Sequence, residues 1–210
     1  MNYSYKIEHD FGLAPNPFWG YCTLAVCKSQ IRNNPELEVG SWIFGTGSRK
    51  LNNENSLIYA MKVEEKITFN EYWNDPRFQC KKPVLNGSLK VMYGDNIYHQ
   101  NNEEVWIQED SAHSLIDDIN TEHLIRDTGG EYVLISKNFY YFGNKAISIP
   151  EQFIDEIPCK GRNFCSRKLK DNIVEDFTNW LKNKYATGVI YGDPINWPKI
   201  FNSEFHLKLD

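Results

Sequence analysis

Apolar and polar positions along the chain repeat with two periods, and the switches between them mark the elements. Residues 3–9 (Tyr-Ser-Tyr-Lys-Ile-Glu-His) alternate, as a half-buried strand does. Residues 21–27 are a nearly continuous apolar run, expected to be a buried strand, and so are 41–44 and 57–63. Ser29 is a candidate cap for a short helical turn carrying Ile31 and Arg32. Thr68 with Glu71 forms a capping box, so a helix should start there and end before Pro76. Between these lie a loop over 11–20 with Pro15, Pro17 and Gly20, and a polar turn over 49–55.

The second half is less regular. Residues 79–104 read as irregular, with Asn86-Gly87 and Gly94-Asp95 as turns, and 105–108 as a short strand. Residues 126–130 read as a turn. Residues 132–136 and 139–142 read as a strand pair split by Lys137-Asn138. The clearest helix is 168–185, where Leu169, Ile173, Val174, Phe177, Trp180 and Leu181 share a face, with Gly188 as its stop. The Pro- and aromatic-rich tail from Val189 should pack back on the domain.

Composition narrows the class. The 210 residues suit one domain, with no repeat or linker. No apolar run approaches the ~20 residues of a membrane helix, and the N-terminus lacks a signal-peptide core, so a cytoplasmic setting is expected. The net charge of −5 argues against a broad grip on duplex DNA but leaves room for one nucleotide or a stacked single strand. Lys81 and Lys82 are adjacent, and Lys160, Arg162, Arg167, Lys168 and Lys170 cluster, a solvated helix start in the plainer reading. Cys22, Cys27, Cys80, Cys159 and Cys165 are odd in number and lack zinc spacing, so free thiols are expected.

Several residues could carry chemistry. Gly45-Thr46-Gly47-Ser48 leaves a strand as phosphate-cradling turns do, yet no P-loop or dinucleotide fingerprint follows, and a tight strand exit fits equally. Asn16 and Trp19 ride on the Pro/Gly loop. Trp19, Tyr21, Tyr72, Trp42 and Trp73 could stack a base or fill the core. Arg32 and Arg77 could clamp a phosphate or base edge, or pair locally. His99, Asp110, His113 and Ser114 are the set suited to acid–base work or a divalent metal, against a reading as polar loop residues. Cys27, beside Lys28, could be a nucleophile or a buried structural thiol. Asp127-Thr128 fits a site loop or a turn.

These residues also carry a resemblance. Gly20-Tyr21-Cys22-Thr23-Leu24-Ala25, Cys27-Lys28-x-x-Ile31-Arg32, Gly45-Thr46-Gly47, Ile58-Tyr59-Ala60-Met61-Lys62-Val63, Tyr72-Trp73-x-Asp75-x-Arg77-Phe78 and Gly94-Asp95-Asn96-Ile97-Tyr98 resemble the second nucleotide-modification-associated domain family over about residues 10–195. That family occurs in bacteria and phages and is tied to DNA base modification. The element order is also similar to the EVE and ASCH branches of the PUA-like fold, which would bring Tyr21, Trp42 and Arg77 to one cleft. An insert over 79–125 and the C-terminal helix depart from that pattern.

The expectation is one α+β domain over 1–210, with a core over about 10–150 and a helical extension over 151–210. Its sheet would be curved and mixed or mainly antiparallel, or closed as a small PUA-like barrel. Its function would be to bind a nucleotide or modified base, in single-stranded or flipped-out DNA or free. Asn16, Trp19, Tyr21, Lys28, Arg32, Gly45, Thr46, Gly47, Tyr72 and Arg77 are the expected contacts. The alternatives are an enzyme using His113, Asp110 and His99, and a protein–protein module. No residue is assigned as a metal ligand, and the cofactor is left open.

Overall fold

The computed structural model describes residues 1–116, 118–160 and 166–198. Arg162, Cys165 and the side chain of Arg167 lie outside the described residues. The strands are β1 (Asn2–Lys6), β2 (Cys22–Leu24), β3 (Trp42–Thr46), β4 (Ser56–Lys62), β5 (Glu65–Thr68), β6 (Tyr98–Gln100), β7 (Trp106–Gln108), β8 (Tyr132–Ser136), β9 (Phe139–Tyr141), β10 (Ile147–Ser148), β11 (Ser166–Leu169) and β12 (Val189–Ile190). The helices are α1 (Ser29–Arg32), α2 (Phe69–Asn74), α3 (Leu89–Met92), α4 (Thr121–Thr128) and α5 (Asp171–Lys184).

The main sheet runs β11-β1-β3-β4-β9-β12, with β10 paired to β4. It is mixed: β1 and β3 are parallel, as are β9 and β12, and the other pairings are antiparallel. A smaller sheet, β2-β8-β5, and the hairpin β6-β7 complete the strands. The expected α+β class with a mixed sheet is therefore correct. The sheets stay open, so the barrel alternative does not form among the described residues, and the PUA-like resemblance gains no support.

Alternation along the strands builds three apolar layers. Trp42, Phe44, Tyr140 and Phe142 face α5, meeting Val174, Phe177 and Leu181. Ile43, Phe139 and Tyr141 point the other way, onto Cys22, Leu24 and Leu134 of the smaller sheet. The far side of that sheet, Val133 and Ile135, packs on Phe69, Tyr72, Phe78 and Tyr98. Strands buried on both faces are apolar almost throughout, which is why 21–27 and 57–63 read so clearly.

The capping box forms as expected: Thr68 Oγ1 accepts from Glu71 N, and Glu71 accepts from Thr68 N at 2.7 Å. α1 is capped by Lys28 rather than Ser29, with no side-chain cap. β8 and β9 are both strands but do not pair with each other. β8 belongs to the smaller sheet and β9 to the main one. The Glu64 carboxylate accepts the Lys137 amide at 2.5 Å where the chain passes between the sheets. Residues 121–128 form α4, not only a turn; Asn120 caps it, accepting from His123 N at 3.1 Å. The tail packs back: β12 pairs with β9, and Trp197 Nε1 donates to Phe11 O at 2.9 Å.

Cys22, Cys27 and Cys80 are free thiols, whereas Cys159 is disulfide-bonded, which departs from the all-thiol expectation. Lys168 pairs with Glu36 at 2.5 Å and Lys160 pairs with Asp155, so these members of the basic cluster are neutralised locally. No described helix is long and apolar enough to cross a membrane.

Candidate functional site

A cavity of about 630 Å³ opens beside the end of β1, lined by Tyr5, Lys6, Ile7, Glu8, His9, Ala14, Cys27, Lys28 and Arg126. Its inner wall is the link from β2 to α1. There the chain leaves the buried strand and takes two consecutive left-handed residues, Cys27 (φ 58) and Lys28 (φ 46). Non-glycine side chains rarely adopt this region, and such strain persists only where surrounding bonds impose it. Both backbone groups of Cys27 are held: its N–H donates to Asp127 Oδ1 at 2.9 Å, and its carbonyl accepts from Arg32 Nε at 2.8 Å.

Asp127, on the last turn of α4, is fully buried and is the hub of the site. Besides Cys27 N, it accepts from His113 Nδ1 at 2.8 Å, Tyr98 OH at 3.0 Å and Arg126 Nε at 3.1 Å. Burial alone would raise its carboxyl, but the bonds from His113 and Arg126 outweigh burial and hold it well below the usual carboxylate range. Burial would likewise lower His113. Its bond with Asp127 and the neighbouring Cys27 side chain prevail and raise it to about 9. His113 is thus an imidazolium at neutral pH, held beside the Cys27 turn because its Nδ1 and the Cys27 N–H share the Asp127 carboxylate. Its ring meets that of His123 edge to face, 4.5 Å between centroids. Gln108 on β7 steadies the group, donating to Tyr98 OH and to His113 O, each at 3.2 Å.

Arg32 lies beneath. Fully buried, it donates to Cys27 O, to Gly130 O at 3.1 Å, to Tyr132 O at 2.6 Å and to Asp127 O at 2.5 Å. Burial lowers its pKa to about 10 without neutralising it. Four of its five N–H donors therefore join the Cys27 turn to the end of α4 and the start of β8, and its full burial keeps it from a ligand phosphate.

The other expected contacts are scattered. Lys28 lines the cavity, its Nζ 4.5 Å from the centroid of the Tyr5 ring. Arg77 does not line it. It is clamped on Glu65 at 2.7 and 2.8 Å and on Asp75 at the surface. Tyr21 sits between Arg77 and Lys137, 5.8 and 4.9 Å from its ring centroid, and Trp19 lies under Lys90 at 3.8 Å. Asn16 and Tyr72 are buried in a polar network. Lys81 donates to Asn16 Oδ1 at 2.6 Å, and Tyr72 OH donates to Asp95 Oδ1 at 2.8 Å. Thr46 is buried, donating to Tyr5 O at 3.2 Å. At Gly45 a Cβ would overlap the Tyr59 ring, and at Gly47 the Asn53 carbonyl, so close packing accounts for both glycines.

The acid–base set is rearranged. His113 takes its carboxylate from Asp127 and not from Asp110. His99 bonds Glu109 at 2.8 Å and stacks on Trp73 at 3.9 Å. No cluster among the described residues could hold a metal. Asp127 is the carboxylate that sequence spacing did not attach to His113. The Asn120 cap signal, followed by Leu124 and Ile125, could have placed it on a helix.

Compared with known proteins, residues 1–200 match the family model of nucleotide modification associated domain 2. No curated protein and no solved structure matches the chain.

Proposed function

The chain belongs to the nucleotide modification associated domain 2 family, and from that premise we propose that it binds a single nucleotide or nucleic-acid base in a base-modification system, in the cavity beside β1. The observation that carries this reading is the cavity wall: Lys6, Lys28 and the Asp127-paired Arg126 bring three cations against the one lining carboxylate, Glu8, and Tyr5 brings a ring, to about 630 Å³ of space. That volume suits one small ligand, since such sites occupy about 300–1,000 Å³. Guanidinium and ammonium groups suit phosphate oxygens or base edges. A protein of net charge −5 gathers positive charge here, which favours one bound nucleotide over a long duplex.

The test is thermal stability with nucleoside monophosphates, unmodified and base-modified. A ligand at a hundredfold over its Kd adds about 2.7 kcal/mol, or roughly 5–10 °C for a domain of this size. The shift should vanish in Lys28→Asn, since asparagine tolerates the left-handed backbone while removing the charge. No shift with any nucleotide, or a shift retained in that variant, sinks the assignment.

A further inference from the structure

We propose that Cys27, His113 and Asp127 form a nucleophilic triad that cleaves a bond at a trigonal carbon carrying an amine or alkoxide leaving group. The chemistry would take place in the cavity assigned above to the nucleotide. It rests on that reading only for the identity of the substrate.

The arrangement has the three parts a thiol nucleophile needs: the thiol, an imidazole beside it, and a third group orienting the imidazole. Cys27 lines the cavity and is held there by its own backbone bonds to Asp127 and Arg32. His113 bonds the buried Asp127 through Nδ1, leaving Nε2 as its other proton site. Asp127 is fixed by Tyr98 and by two backbone or side-chain N–H donors, so the ring cannot turn without breaking a buried charged pair. The three residues come from separate segments: the β2–α1 turn, the loop after β7 and the end of α4. Arg32 and Gln108 tie those segments together. None of these contacts is needed for a cysteine that merely fills the core, as Cys22 does at full burial.

The step balances as follows. The step starts from the thiolate–imidazolium form of the pair, with the proton already on His113. The Cys27 Sγ electron pair attacks the carbon and the C=O or C=N π pair moves to its heteroatom. Collapse breaks the bond to the leaving group, which takes the proton from His113. The remaining thioester or thioimidate is hydrolysed by water, whose proton passes to the now neutral His113 as Cys27 departs as the thiolate. The net reaction is hydrolysis, and asparagine at 127 would remove the negative charge that anchors the imidazolium.

The probe is p-nitrophenyl acetate, a generic acyl donor, with the full-length chain. Nitrophenolate release is followed and the acetylated cysteine is located by peptide mass spectrometry. The expected result is a burst of about one equivalent, with acetyl on Cys27 in preference to the more exposed Cys80. His113→Gln should slow Cys27 acetylation about a hundredfold, the scale of positioned general acid–base catalysis. Asp127→Asn should slow it as well, and Cys80 should be unaffected in both. Acetylation that favours Cys80, or a Cys27 rate unchanged in His113→Gln, overturns the triad. The wild-type comparison of Cys27 with Cys80 keeps the test valid if a variant does not fold. If Cys27 reacts as expected but no nucleotide protects it, the triad stands and the nucleotide reading fails.

Discussion

Replacing His113 with glutamine should make one component of stability disappear from a defined pH window. The His113 side chain is 11% exposed and bonded to the fully buried Asp127. Those bonds raise its pKa from an ordinary 6.5 to about 9. At about 1.4 kcal/mol per pH unit, this is about 3 kcal/mol of preference for the imidazolium in the folded state. The folded value lies above the unfolded one. The stabilisation is therefore complete below about pH 6.5, declines as pH rises, and is gone above about pH 9. Lys81 runs the other way: burial lowers it to about 8, so its contribution improves as pH climbs from there toward its ordinary 10.5. Lys81 is common to both proteins and cancels in their difference. The assay is urea unfolding of wild type and variant from pH 6 to pH 10, using midpoint and slope at each pH. The stability gap should be about 3 kcal/mol wider at the acid end than at the alkaline end. A gap that stays constant across this range would refute the pairing of His113 with Asp127.

Three other substitutions test the frame around the site. Arg32→Met leaves the carbonyls of Cys27, Gly130, Tyr132 and Asp127 without a donor and should cost about 3–5 kcal/mol, measured by urea unfolding. Gly47→Ala drives a methyl group into the Asn53 carbonyl and should cost about 1–3 kcal/mol while leaving any nucleotide-induced thermal shift intact. Arg77→Ala removes an exposed pair of ion bonds and should change stability by less than about 1 kcal/mol, again without altering the nucleotide response. Loss of that response in Arg77→Ala would return the ligand site to the Tyr21 surface.

The parts of this molecule that were legible in the sequence are those whose cause is local. Strands β3, β4 and β8 are apolar because they are buried on two sides, and the Thr68 cap is a bond between residues three apart. Such causes leave a pattern within a few residues. The partner of a strand leaves none: β8 and β9 look like a hairpin because two residues separate them. They enter different sheets because the inward faces of Val133 and Ile135 on β8 find α2 and Phe78, while Phe139 and Tyr141 on β9 find Tyr59. The candidate site has the same limit in sharper form. Cys27 lies 100 residues from Asp127 and His113 lies 14 from it, and their pairing depends on a buried arginine that reads, in sequence, as a basic residue at a helix end. Asp110 is close to His113 in sequence, but Asp127 reaches it because α4 delivers a carboxylate to the Cys27 turn. Burial then sorts the candidates. Arg32 was a ligand candidate by residue type, yet a guanidinium that satisfies four carbonyls in the interior holds a site together instead of filling it. The converse holds for Cys27. Its left-handed backbone costs free energy that a core cysteine has no reason to bear, and in this fold that strained turn is what brings the thiol, the imidazolium and the cavity together.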